Sequence, residues 1–244
     1  MMRKESEPFR ELTMSKREVY EGLLVPALMQ LGANDETNAK EVAAEVYDFY
    51  AEPFRNYHGV DHPLDMIDQW FKYKKATETG SVNLKSRNQD EDPVLIAMIF
   101  FHDVIYRIGR EPGFSEKASA AWAGEKLSDL GISQDHIDWI KAGILATIDH
   151  RVPESTNVPH IRTIGLLLDL DLWILAESWD TFQAADEQLW PEFQPIVLRE
   201  EFLAGRAQWA ASFAEGRISI FNTDYFKQRV SVALMNLTQR AGMI

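Results

Sequence analysis

The sequence predicts an all-α protein. Three observations carry that expectation. Apolar residues recur at three- and four-residue spacing through most of the chain. No stretch of any length alternates apolar and polar residues in the two-residue rhythm of a strand. Ser, Asp, Gly and Pro fall where helices begin and end. There is no internal repeat, low-complexity tract or linker-like segment, so 1–244 reads as a single domain of nine or ten helices. Residues 1–14 read as a mobile arm and about 180–244 as an accessory helical layer.

Taken in order, the first helix spans 16–31, with Val19, Leu23, Leu24, Ala27, Leu28 and Leu31 on one face; Pro26 is placed to kink it and Gly32 ends it. Asn34 or Asp35 caps a second helix, with Val42, Ala43, Val46, Phe49 and Tyr50 inward and Pro53 closing it. RNYHGVDH at 55–62 is polar and carries a glycine, so it reads as a turn. A third helix starts at about Asp61, with Pro63 tolerated in its first turn. Residues 78–92 form a polar loop, and Asp92-Pro93 opens a central helix. RIGREPGFS at 107–115 is a second loop; Ser115 or a neighbour caps a helix ended by Gly131, and Ser133 caps the next, running to about His150. After the loop at 151–159 comes an apolar helix, 160–176, and beyond 180 the helices are polar-faced, with Pro191 and Pro195 marking breaks.

The rest of the chain is organised around the central helix. Eight apolar residues run unbroken from Val94 to Phe101, then come His102 and Asp103, and the apolar run resumes with Val104 and Ile105. A helix apolar all round is buried on every side. An imidazole and a carboxylate inside such a run cost several kcal/mol unless they are paired or bind a metal.

Bulk composition limits the chemistry. A 244-residue chain that is 45% apolar and 26% charged can bury a sizeable core without staples. A net charge of −13 and a pI of about 4.9 disfavour nucleic-acid polymers as partners. Without cysteine there is no disulfide, thiolate nucleophile or cysteine-ligated zinc, and His, Asp and Glu are the strong ligands left. The N-terminal stretch lacks the apolar segment of a signal peptide, and no apolar run reaches the ~18 residues of a membrane span, so the expected location is cytoplasmic.

Three of the six histidines lie in suggestive settings. His58 and His62 are four residues apart, a spacing that puts both side chains on one face of a helix or its lead-in. His102 sits beside Asp103 in the buried run. Asp169 and Asp171 interrupt a second apolar run, and two apolar helices interrupted by polar groups should pack with those groups meeting inside. One His of the third helix, the His102–Asp103 pair and one late Asp form a mixed nitrogen and oxygen set suited to manganese, iron, magnesium or zinc. Asp169 and Asp171 stand about 200° apart around a helix, so one of the two reaches a shared ion.

The order His62, His102-Asp103, Asp171 on an all-α chain resembles the HD-domain superfamily of metal-dependent phosphohydrolases, and more narrowly an uncharacterised bacterial group within it. The matching stretches are RNYHGVDH (55–62), FHDVIY (101–106), SEKASA (115–120), ILATIDH (144–150) and LDLDL (168–172). Later matches are LREEF (198–202), Gly205-Arg206 and Asn236-Leu237, so the resemblance covers about 50–240. It implies an HD-type helical bundle in which His62, His102, Asp103 and Asp171 hold a divalent ion, with cobalt and nickel joining the candidate metals. By likeness to cyclic-nucleotide phosphodiesterases, His58 is a candidate general acid. Arg55 is a candidate phosphate clamp, Asp103 takes part in catalysis, and Glu116, His150 and Asp169 are candidates for the pocket lining or a second metal. Ser115 departs from the group, which usually has Asn before this Glu. Arg199, Glu200 and Arg206 read as a structural ion-pair network.

The expected function is hydrolysis of a small phosphate ester, a nucleotide or related metabolite, by metal-activated water. An HD-fold di-iron oxygenase, drawing on His136, His150 or His160, and a non-catalytic nucleotide-binding sensor are the alternatives. The sequence gives no oligomeric state.

Overall fold

The computed structural model describes residues 14–78, 90–154, 157–215 and 220–242; most of the expected arm (1–13) and of the polar loop (79–89) lie outside the described residues. Among the described residues there are eleven α-helices, one 3₁₀ turn and no strand, so the protein is all-α. The helices are α1 (Lys16–Gln30), α2 (Glu36–Tyr50), α3 (Asp61–Glu78), α4 (Glu91–Phe101), α5 (Phe114–Asp129), α6 (Gln134–Ala146) and α7 (Val158–Asp171). The 3₁₀ turn Trp173–Ala176 follows, then α8 (Trp179–Phe193), α9 (Arg199–Ala214), the single-turn α10 (Asp224–Lys227) and α11 (Val230–Ala241). No helix among them is long and apolar enough to cross a membrane.

Local chemistry explains most boundaries. Ser15 and Glu18 form a reciprocal capping box at the start of α1; Asp35 caps α2 through the Asn38 amide, and Ser133 caps α6 through the His136 amide. α5 begins two residues earlier than a Ser115 cap requires. Gly113, in the left-handed region at φ 78°, opens it. Ser115 lies inside the helix and its hydroxyl accepts from the Arg107 amide. Pro191 does not break α8 but sits within it, where the missing N–H forfeits one helical bond.

α4 is the centre of the helical bundle. Val94, Leu95, Ala97, Met98, Ile99, Phe100 and Phe101 are all inaccessible to solvent, and α1, α6 and α7 surround the helix with α3 and α5 also in contact. Burying each large side chain contributes roughly 1.5–3 kcal/mol. The helix ends at Phe101 rather than running on through Asp103. Side chains from other elements replace the helical partners there: Arg55 donates to the carbonyls of Asp103 (2.7 Å) and Val104 (2.8 Å), and the Ile105 amide donates to Ser119 Oγ at 3.0 Å. α6 likewise stops at Ala146, short of His150, and α7 at Asp171. Three metal-ligand candidates, His102, Asp103 and Asp171, therefore sit at or just past the ends of buried helices.

α8, α9 and α11 come together over the 3₁₀ turn, and residues of α8 and α9 wall a cavity above the end of α4.

Candidate metal centre

His62 lies in the first turn of α3, and its Nε2 is 3.2 Å from Nε2 of His102. Both rings are almost fully buried, at 4% and 1% exposure. Nδ1 of His102 donates to the Ile99 carbonyl at 2.8 Å, so Nε2 is the nitrogen that presents a lone pair once the ring is neutral. Asp103 Oδ2 stands 3.4 Å from His102 Nε2, and Asp171 Oδ1 stands 3.3 Å from His62 Nε2 and 3.8 Å from His102 Nε2. One ligand atom from each of His62, His102 and Asp103 lies within 4.8 Å of the others, so this group could hold a metal ion. Asp171 borders it from the side of the histidines.

The electrostatics fit a cation. Burial disfavours charge on both carboxyls, yet the neighbouring imidazoles outweigh it and hold Asp103 and Asp171 well below the usual range. Burial also opposes a charge on His102, but Asp103 and Asp171 outweigh it and push its pKa up to about 9. Two partly buried carboxylates face two imidazole nitrogens, a mixed oxygen and nitrogen donor set that would suit a divalent ion. The residues present therefore fit a metal.

A cavity of about 230 Å³ opens above this group. Asp103 and Asp171 line it while His62 and His102 do not, so the group that could hold a metal lies at its floor. His58 lines it too, with Nδ1 2.8 Å from Glu192 Oε2 and Nε2 4.0 Å from Asp103 Oδ2. Burial lowers the His58 pKa, but the bond to Glu192, helped by Asp103 and Asp171, outweighs that and raises it above 6.5. His150 Nε2 lies 3.0 Å from Asp171 Oδ2. Its backbone is held at φ 52°, a strained setting for a non-glycine residue and the only one among the described residues. Glu116 is a further lining residue, and burial, with Asp103 adding, raises its carboxyl above the ordinary value.

Two candidates lie apart from both the metal group and the cavity lining. Arg55, expected as a phosphate clamp, does not line the cavity. Its guanidinium is spent on Glu52 (3.1 Å) and on the carbonyls of His58, Asp103 and Val104, and the residue is 8% exposed. It positions the loop that carries Asp103. Asp169, expected as a pocket or second-metal residue, does not line the cavity either. It points away from Asp171 and accepts from the amides of Asn222 (2.6 Å) and Thr223 (2.7 Å) and from both of their side chains, tying the start of α10 to α7.

Two contributors do not stand out as site residues in the sequence. Glu192 Oε1 accepts from the amides of Asn56 (2.7 Å) and His58 (2.8 Å), and Oε2 accepts from Tyr106 at 3.0 Å as well as facing His58. Phe182, Ala185, Leu189 and Glu192 recur at three- and four-residue spacing, and that signal would have put Glu192 on the inward face of α8. Arg206 pairs with Asp186, yet it also lines the cavity; Arg199 pairs with Glu187 on an exposed surface. Comparison with known protein families, curated proteins and solved structures found no match.

Proposed function

We propose that the chain is a metal-dependent phosphohydrolase of the HD type that cleaves a small phosphate ester. The observation that carries this reading is the convergence of His62, His102 and Asp103, with Asp171 beside them, on the floor of a cavity that His58 also lines. A divalent ion bound there supplies charge neutralisation on the phosphoryl oxygens and lowers the pKa of water towards neutrality.

The chain's own groups do the rest. Asp103, facing the cavity, orients the attacking water by accepting its hydrogen bond. The water oxygen forms the new bond to phosphorus as the ester P–O bond breaks, and the water's proton passes to solvent through the open side of the cavity. The bonding pair goes to the leaving oxygen, which takes a proton from His58 Nε2. Glu192 holds the opposite ring nitrogen, so Nε2 keeps facing the cavity. α8 and the 3₁₀ turn close the apolar side and limit competing water.

The test is elemental analysis of the purified protein beside a phosphatase and phosphodiesterase screen with added manganese, cobalt, nickel and magnesium. Asp103→Ala is expected to lose both metal and hydrolysis; full retention of both overturns the assignment. A di-iron oxygenase is the second reading, favoured by His150 lying against Asp171, where it is placed to ligate a second ion. Iron as the resident metal, with oxygen consumption, would select it.

A further inference from the structure

Among the described residues Arg206 is the one arginine or lysine that lines the cavity. Its Nε donates to Asp186 Oδ1 at 2.6 Å, and its guanidinium lies 4.0 Å from the centre of the Trp209 ring. Both contacts fix the fork without using its two terminal nitrogens, which have no hydrogen-bond acceptor among the described residues. Asp186 is shared: Arg240 Nε lies 2.7 Å from its other oxygen, and Arg240 Nη2 is buried without a hydrogen-bond partner. Two guanidiniums against one carboxylate leave a surplus positive charge beside the cavity, and a planar fork with free donors matches a phosphate.

The remaining lining sets the body of the ligand. Leu175, Phe182, Leu189, Phe193 and Trp209 make one wall apolar. Asp103, Glu116 and Asp171 also line the cavity, and they repel any phosphate that neither a cation nor Arg206 neutralises. At about 230 Å³ the space lies below the roughly 300 Å³ at the lower end of ordinary ligand pockets.

We infer that Arg206, stacked on Trp209 and held by Asp186, is a substrate-recognition residue that selects a compact monophosphate with an apolar body, aromatic rings included, over polyphosphates. For the reaction this rests on the phosphohydrolase reading; for the ligand it rests on the cavity lining.

The test uses the manganese-loaded full chain and ligands that cannot turn over: phenylphosphonate, methylphosphonate and a non-hydrolysable ATP analogue, each titrated by calorimetry. Phenylphosphonate is expected to bind at least about tenfold more tightly than methylphosphonate, from burial of the ring. It should also bind more tightly than the ATP analogue. A smaller ratio, or preference for the ATP analogue, overturns the ligand class; this comparison needs no variant. Arg206→Gln is expected to weaken phenylphosphonate at least about fivefold in a protein that stays folded with metal content unchanged, and Arg206→Lys to recover part of it. An Arg206→Gln protein that is folded, metal-loaded and binds with less than that loss overturns the role of Arg206. Absence of hydrolysis on every ester, with phenylphosphonate still bound through Arg206, would remove the phosphohydrolase reading and leave the recognition site standing.

Discussion

The Nε2 atoms of His62 and His102 lie 3.2 Å apart inside the helical bundle, each also within 4 Å of a carboxylate oxygen. Such a contact is sustained by a shared proton or by a cation. The cation is expected to stabilise the fold by mass action, by about 2.7 kcal/mol when free metal stands at 100 times its dissociation constant. For a chain of this size that corresponds to about 5–10 °C in melting temperature. A melt with manganese and after chelation reads it directly, and His102→Ala should abolish the difference.

Protons and metal compete for the same atoms. His102, with a pKa of about 9 in the metal-free cluster, must give up its proton to present Nε2 as a ligand. Because that pKa lies above 6.5, the metal-free site stays protonated across neutral pH. Apparent metal affinity therefore rises with pH and levels off above about 9, gaining close to tenfold per unit while one proton is displaced. Titrations against a metal buffer at pH 6.5, 7.5 and 8.5 measure the slope. A flat profile would show that no proton leaves His102 on binding.

Asp169 and Asp171 have opposite duties two residues apart. Asp169 satisfies four donors from Asn222 and Thr223. Asp169→Ala strands those donors and is expected to destabilise the fold by roughly 3 kcal/mol while metal stoichiometry stays intact. Asp171→Ala removes a carboxylate whose contacts are His62, His102 and His150, so it is expected to lose metal with a smaller drop in the chelated protein's stability. Urea midpoints with chelator, paired with elemental analysis, separate the two.

The helical architecture is legible in the sequence because periodicity reports which face is buried, and α4 shows this at its strongest. His102 and Asp103 stand out for the same reason: a polar pair in a fully apolar run needs compensation. The chain does not reveal which donors are already in use. Arg55 has the fork of a phosphate binder, but its partners are carbonyls 48 and 49 residues away, visible only once the loop after α4 is folded. Those same bonds end α4 at Phe101, which explains why a nearly unbroken apolar run reads as one longer helix. Glu192 is hidden because Pro191 signals a break in a helix that continues through it.

Glu192 joins α8 to the candidate acid. One oxygen receives the amides of Asn56 and His58; the other receives Tyr106 and the His58 ring. Glu192→Gln preserves the first pair, since its carbonyl oxygen still accepts. It replaces the second oxygen with an amide NH2, which cannot accept from the His58 ring. The ring is then free to put its proton on the wrong nitrogen or to turn from the cavity. Proton transfer by a positioned group contributes about 10²–10⁴-fold, so kcat is expected to fall about 100-fold with KM and metal content little changed. His58→Gln should fall by a similar factor, and the double variant should be no slower than either single, because both remove one unit. Independent, multiplying losses would show that Glu192 supports the fold and not His58. Unchanged kcat in Glu192→Gln would show that the His58 ring needs no partner to act.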